Sequence, residues 1–300
     1  RHLCDTPAAA LGSCRKKLPK LADDIDFYEN VLLLFKKYDI RYFFYIGGND
    51  SMDTVNKLSE YFKSVNFDVK VIGIPKTIDN DIFGTDVTFG FHTAVDIATD
   101  VIDRLHTTAA SHSRILVCEI MGNKAGWLTL NAGIAGGADV IIIPEIPYDI
   151  DKICDSVMSR TASGKTFSIL AVAEGAFDVA ESQMKKKERA KKRAEAGIIT
   201  ATSRIAAQVQ ANTGIEARVC VPGHMLRGGA PSAYDRVLST QFGVHAAYLI
   251  AQEKYGRTVA KIGNKITSNK LEDIAGKTKF VDVNSHLVIA ARDIGVSFGD

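Results

Sequence analysis

The 300-residue chain has little of several things that would direct an argument elsewhere: one tryptophan, seven prolines and five cysteines. Cys4, Cys14, Cys118, Cys154 and Cys220 stand far apart with no Cys-x-x-Cys pair, which argues against a disulfide framework and against a zinc site. Cys118 and Cys220 fall inside apolar, strand-like runs and are expected in the core, and a reducing cytoplasm is the expected compartment. No excess of one charge exists either. With 37 lysines and arginines against 35 aspartates and glutamates, the net charge of +2 suggests no nucleic-acid partner and no membrane surface. Apolar runs fall short of the roughly 20 residues a membrane span needs, no signal-peptide pattern is read at the start, and no internal repeat recurs. One block of single sign does occur, Lys185-Lys186-Lys187-Glu188-Arg189-Ala190-Lys191-Lys192-Arg193. Lacking interleaved aromatics, it is expected to be a solvated helix outside the fold core.

What remains is an ordinary globular composition, 46% hydrophobic and 24% charged, in a chain longer than one core usually serves. Two α/β lobes are therefore expected. Short β-branched runs at 42–46, 69–74, 114–120, 140–143 and 168–172 read as strands. Between them, helical spacing recurs at 23–38, 50–63, 96–105, 128–135 and 150–159, with a long partly apolar helix at 234–254. Gly136-Gly137 is a helix stop. This alternation predicts mostly parallel sheets with right-handed crossovers.

Two segments carry chemistry. The strand-like run ending at Ile46 leads into Gly47-Gly48-Asn49-Asp50-Ser51, and the run ending at Ile74 leads into Pro75-Lys76-Thr77-Ile78-Asp79-Asn80-Asp81. Both runs read as buried parallel strands, so a glycine turn and a pair of carboxylates meet at the carboxyl ends of two strands, where open α/β sheets bind ligands. Glycines allow the backbone to approach a phosphate, and acids there suit a metal and a proton acceptor. Phosphoryl transfer is the chemistry these residue types favour.

In sequence order, GGNDS, PKTIDND, Gly90-Phe91-His92-Thr93-Ala94, Glu119-Ile120-Met121-Gly122, Pro144-Glu145, Ala173-Glu174-Gly175 and Gly223-His224-Met225-Leu226-Arg227-Gly228-Gly229 resemble the phosphofructokinase family, in particular its pyrophosphate-dependent branch. The resemblance covers nearly the whole chain. It implies two three-layer α/β lobes: 1–90 plus 226–275 for the phosphate donor, and 91–225 plus 276–300 for fructose 6-phosphate. Leu11-Gly12-Ser13-Cys14-Arg15 is similar to a later segment of the family, whose members open with a strand and a glycine-rich turn. The chain is therefore expected to lack its amino-terminal segment.

Carried onto this sequence, the resemblance implies Asp79 as the catalytic base. Thr77 would hydrogen-bond the moving phosphoryl group and Arg15 would stabilise its charge. Gly47, Gly48, Asn49, Asp50, Ser51 and Lys76 would bind the donor. Arg114, Met121, Gly122, Glu174, Arg218, His224 and Arg227 would bind the sugar phosphate, and Mg2+ would rest on Asn49, Asp50 and Asp81. In the family, the arginines matching Arg114 and Arg218 reach into a neighbouring subunit's site, which implies a homodimer or homotetramer with shared sites.

Asp50 and Lys76 bear on the donor. The ATP-using branch typically has glycine at both positions, leaving room for the nucleotide's α-phosphate. A carboxylate about 4 Å from a phosphate charge costs about 4 kcal/mol at an effective dielectric near 20, close to a thousand-fold in affinity. Pyrophosphate is therefore the expected donor. Two positions depart from the family pattern: Asn49, where an aspartate often helps hold magnesium, and Asn123, where arginine commonly follows Met-Gly. With the expected lack of the first strand they favour, as one alternative, a non-catalytic regulatory subunit of the same fold; an ATP-dependent phosphofructokinase with altered donor contacts is the other. A NAD-kinase-like enzyme would not explain TIDND together with GHMLRGG.

Overall fold

The structure, a computed structural model, describes residues 9–14, 16–195, 197 and 200–300. Its elements run α1 (Ile25–Lys37), β1 (Tyr42–Gly47), α2 (Asn49–Ser64), β2 (Lys70–Pro75), α3 (Phe91–His112), β3 (Ile115–Ile120), α4 (Trp127–Ala135), β4 (Val140–Ile142), α5 (Ile150–Ala162) and β5 (Ser168–Ala173). They continue with α6 (Val179–Ser182), α7 (Lys186–Glu195), α8 (Ala201–Thr213), β6 (Ala217–Cys220), a 3-10 turn (Gly223–Arg227), α9 (Ala233–Ala251), β7 (Arg257–Ile262), β8 (Lys265–Lys270), α10 (Leu271–Ile274) and α11 (His286–Asp293).

The strands form two sheets, in the orders β1-β2-β7-β8 and β4-β5-β3-β6. All neighbours are parallel except β7 and β8, an antiparallel hairpin whose two-residue turn opens on Gly263 at φ +57°. The α/β class with mostly parallel sheets is thus the fold the sequence pattern implied. One apolar core joins the sheets through α3, α4 and α9, with Ile72, Val259, Leu116, Leu128 and Phe242 among its buried members. A second, around Val117, Leu170, Ile153 and Ile205, packs α5 and α8 on the outer face of the second sheet. The third sets α1, α2 and α10 against the first sheet around Tyr28, Val55, Phe62 and Leu271. Each fully buried side chain of this size contributes roughly 1.5–3 kcal/mol, so the three clusters rather than the loops hold the fold.

Two readings of the sequence need correction. The run at 42–46 is parallel but not buried: β1 is a sheet edge, and Tyr42, Phe44 and Ile46 remain 53%, 41% and 47% exposed. Its apolar content alone could not distinguish an edge strand from a central one. The helix expected at 96–105 spans Phe91–His112, because Gly90 (φ +97°) starts it and Ser113 (φ +51°) ends it. Thr107, Thr108 and Ser111, weak helix formers, hid its last turns.

The basic block forms α7, yet it is not wholly solvated. Arg193 donates to Glu181 at 2.8 and 2.6 Å and to the Ala176 carbonyl at 2.9 Å, while Arg204 donates to Glu181 at 2.8 Å and to the Tyr148 hydroxyl at 2.6 Å. Burial would push the Glu181 carboxyl up, but the two guanidinium groups override it and hold it at about 2, against an ordinary 4.5. The folded value lies below the unfolded one, so this stabilisation is complete above about pH 4.5 and is lost as pH falls toward 2. Glu181→Gln should cost about 3–5 kcal/mol at pH 7, because two guanidinium groups lose a buried counter-charge. Urea melts should show the gap from wild type narrowing as pH drops below 4.5; a gap independent of pH would contradict the pairing.

Among the described residues, no helix is long and apolar enough to cross a membrane. Cys14, Cys118, Cys154 and Cys220 are free thiols, with Cys118 fully buried and paired in register with half-buried Cys220.

Candidate active site

The site assembles at the carboxyl ends of the strands. β1 ends at Gly47, and Gly48 caps α2 with its backbone, so the first amides of a 16-residue helix are presented at the turn. A Cβ on Gly47 would lie 2.0 Å from the Ser51 hydroxyl oxygen, so only glycine permits this tight entry into the helix. The Lys76 amide donates to the Gly47 carbonyl at 2.9 Å, holding the ends of β1 and β2 together.

Beyond β2 the chain folds into a compact acid loop. The Asp79 amide donates to the Thr77 hydroxyl (3.1 Å), and the Thr88 hydroxyl donates to the Thr77 carbonyl (2.8 Å). Asn80, at φ +51°, accepts from the Thr88 amide (3.1 Å) and donates to the Asp86 carbonyl (3.3 Å). Asn49 reaches across to donate its side-chain amide to the Asp81 carbonyl at 3.2 Å. The two motifs of the sequence are thereby fastened into one surface.

Electrostatics distinguish the two acids from ordinary aspartates. Burial pushes the Asp79 carboxyl up to about 6, the charges of Asp81 and Glu174 push the same way, and Arg227 and Lys76 oppose them. A carboxylate near 6 is a stronger proton acceptor at neutral pH than a free aspartate near 3.9. Asp81 is 4% exposed, and its burial also raises its carboxyl, against Asn49, Lys279 and Lys124.

The second sheet supplies the facing wall. Met121-Gly122-Asn123 follows β3, and Glu174 follows β5. Glu174 accepts from the Gly122 amide (3.1 Å) and the Asn123 amide (2.7 Å), folding that loop back toward the cleft. A Cβ on Gly175 would sit 2.0 Å from the Asn123 carbonyl oxygen, so the close approach of these loops depends on its absence. The 3-10 turn after β6 exposes His224 and Arg227, and the charges of Glu174 and Arg227, both on the second sheet's side, act on Asp79 at the end of the first sheet.

The structure does not gather every residue that the sequence nominated. Arg114 precedes β3 and Arg218 lies at the start of β6, so both stand at the opposite edge of the sheet from Met121 and Arg227. There they share Glu216, with Arg114 at 2.5 Å. Asp50 is exposed and pairs with Lys17 at 3.1 Å rather than turning toward Asp81, while Lys76 is exposed at the end of β2. Arg15 lies outside the described residues. Lys17 and Lys279 were missed in the sequence, where nothing in their neighbourhood marks them; each acquires its place only through contacts made on folding.

No group of three or more histidine, cysteine, aspartate or glutamate side chains suited to a metal occurs among the described residues. Magnesium needs fewer protein ligands when phosphate oxygens complete its shell. A buried Asp81 whose ionisation is disfavoured, with Asn49 against it, fits that kind of shared site.

Two mostly parallel sheets that carry a glycine turn, buried acids and exposed cations at their strand ends define an α/β protein equipped for phosphate chemistry. The Phosphofructokinase family profile matches residues 1–250. The ATP-dependent 6-phosphofructokinase of Spirochaeta thermophila is 48% identical over 255 residues, covering 85% of this chain and 68% of that protein. ATP-dependent 6-phosphofructokinase 3 of Bacteroides thetaiotaomicron is 42% identical over 292 residues, covering 96% and 80%. Among solved structures, the pyrophosphate-dependent phosphofructokinase of Nitrosospira multiformis superposes with a TM-score of 0.78 at 26% identity, covering 94% of this chain and 71% of that one. The chain belongs to the phosphofructokinase family.

Proposed function

We propose that this chain transfers a phosphoryl group to the 1-hydroxyl of fructose 6-phosphate, with pyrophosphate as its preferred donor. The observation that carries the reading is the acid loop, in which Asp79 is tuned to about 6 between Glu174 and Arg227 and next to the Gly47-Gly48 turn. Asp79 takes the proton of the attacking hydroxyl, and Thr77, one hydrogen bond away, contacts the moving phosphoryl group. Gly47, Gly48, Ser51 and Lys76 hold the donor on the first-sheet side, and Met121, Gly122, Glu174, His224 and Arg227 hold the sugar phosphate. Arginine suits that anion because its planar fork can bind two phosphate oxygens at once. Asn49 and Asp81 would hold Mg2+ together with donor oxygens, and the ion would supply positive charge to the transferring phosphoryl group. Residues 1–90 with 226–275 form the donor lobe, and 91–225 with 276–300 the sugar lobe.

Asp50 favours pyrophosphate over ATP. Its carboxylate sits in the first turn of α2, two residues beyond Gly48, where it opposes a nucleotide's α-phosphate but leaves space for a smaller diphosphate. The pair with Lys17 is exposed on both sides, and such pairs contribute only about 0–1 kcal/mol, so Lys17 is readily displaced from the carboxylate. ATP as donor is the second reading, favoured by the names of the two relatives above. Initial rates of fructose 1,6-bisphosphate formation with each donor decide between them. Turnover with ATP and none with pyrophosphate would overturn the first.

Arg114 and Arg218 complete the sugar-phosphate site of a neighbouring copy, since they face away from their own chain's Asp79. Light scattering coupled to activity should give a dimer or larger. A fully active monomer would contradict this placement.

A further inference from the structure

We propose that Lys279 is a positioning residue of the phosphoryl-transfer site, fixing through its ammonium group the loop that presents Asp79 and Asp81. The inference rests on the phosphotransferase reading above and adds a residue that no motif marks.

Lys279 follows α10, nearly 200 positions beyond the loop it touches. Its ammonium donates to the Asn80 side-chain oxygen (3.1 Å) and to the carbonyls of Thr85 (2.8 Å) and Asp86 (2.8 Å), which occupies all three of its protons. Its backbone amide donates to the Asp81 carbonyl at 2.8 Å, and Ile82 pairs with Thr278 in an antiparallel bridge. The far side is held as firmly. The Trp127 indole donates to the Lys279 carbonyl at 2.9 Å, and the ammonium lies 5.2 Å from the centroid of its ring. The lysine therefore fastens the acid loop of the first sheet to the first turn of α4 on the second.

Asn80 explains why a clamp is needed. It holds a left-handed conformation between the two acids, which asparagine tolerates better than other non-glycine residues but does not enforce by itself. Its side-chain oxygen accepts from both the Lys279 ammonium and the Thr88 amide. A change of about 1 Å in a catalytic group can cost about a hundred-fold in rate, so the clamp bears directly on Asp79.

The test compares Lys279→Met, Lys279→Gln and Lys279→Arg, alone and in an Asp79→Asn background. It uses steady-state kinetics at a temperature well below melting and amide hydrogen exchange of residues 77–88. Lys279→Met should lower kcat by about 10- to 100-fold with the KM for fructose 6-phosphate nearly unchanged. Lys279→Arg should recover most of the loss, Lys279→Gln less, and exchange at Asp79 and Thr88 should accelerate. In Asp79→Asn, the Met substitution should reduce the residual rate no further, because both changes act through one group. Wild-type kcat in a folded Lys279→Met or Lys279→Gln variant would overturn the proposal, as would losses that multiply in the double variant or unchanged exchange at Asp79 and Thr88. Exchange is read without turnover. A wild-type chain inactive with both donors would therefore refute the phosphotransferase reading alone, while the loop's dependence on Lys279 is still decided.

Discussion

Asp79→Asn is expected to lower kcat for fructose 1,6-bisphosphate formation by about 10²–10⁴-fold, the range a positioned general base contributes. The substitution keeps the side chain's shape and removes its negative charge, and with it the capacity to accept a proton. Because Asp79 lies among Asp81, Glu174, Arg227 and Lys76, its own charge also affects ligand binding, so binding and turnover need separate measurement. Fructose 6-phosphate should bind at least as well to the variant, since one negative charge near an anionic substrate is gone. Steady-state rates together with calorimetric binding check both halves. Intact turnover would remove Asp79 from its role, and lost binding with intact kcat would make it a substrate ligand.

The second large effect concerns the donor. Replacing Asp50 with Gly, alone and with Lys76→Gly, should raise kcat/KM for ATP relative to pyrophosphate by up to about a thousand-fold, the equivalent of about 4 kcal/mol between like charges. Two features of the structure shape the expectation. Asp50 stands in the first turn of α2, where helix amides favour an anion, so its removal also vacates an anion-favouring position for a nucleotide phosphate. Lys76 is exposed just after β2, and losing its compact cation should weaken pyrophosphate more than ATP. Competition kinetics with both donors present measures the ratio directly. An unchanged ratio in Asp50→Gly would show that the carboxylate does not select the donor, and the ATP-dependent relatives would then be the better guide.

Much of the fold was legible because its strands are short β-branched runs with glycine or proline at their ends. β2, β3 and β5 fall within a residue or two of where the pattern places them. The β7–β8 hairpin was not legible. Arg257, Lys261, Lys265, Asn269 and Lys270 dilute its apolar alternation, and only the two-residue Gly263-Asn264 turn signals the hairpin. The site divides the same way. Lys76, Thr77, Asp79 and Asp81 share one loop, so a local motif reveals them together. Glu174 was nominated by a motif, but its use as acceptor for the Gly122 and Asn123 amides follows from the adjacency of β3 and β5, which sequence spacing does not encode. Lys279 and Lys17 are ordinary lysines in the sequence, and only tertiary packing brings one beneath Asn80 and the other beside Asp50.

The most direct test of the central claim, that Asp79 accepts the sugar's proton, is the ratio of wild-type to Asp79→Asn kcat/KM across pH 5–8. Substrate phosphates titrate in the same range, with second ionisations near 6 by analogy with phosphorylated side chains, and the ratio cancels their contribution. Burial and neighbouring acids raise Asp79 to about 6, so the base is lost as pH falls through that value. The ratio should be flat above pH 7 and decline toward tenfold per unit below about 6, where protonated Asp79 is as inert as asparagine. A ratio that stays constant from pH 5 to 8 would contradict the account.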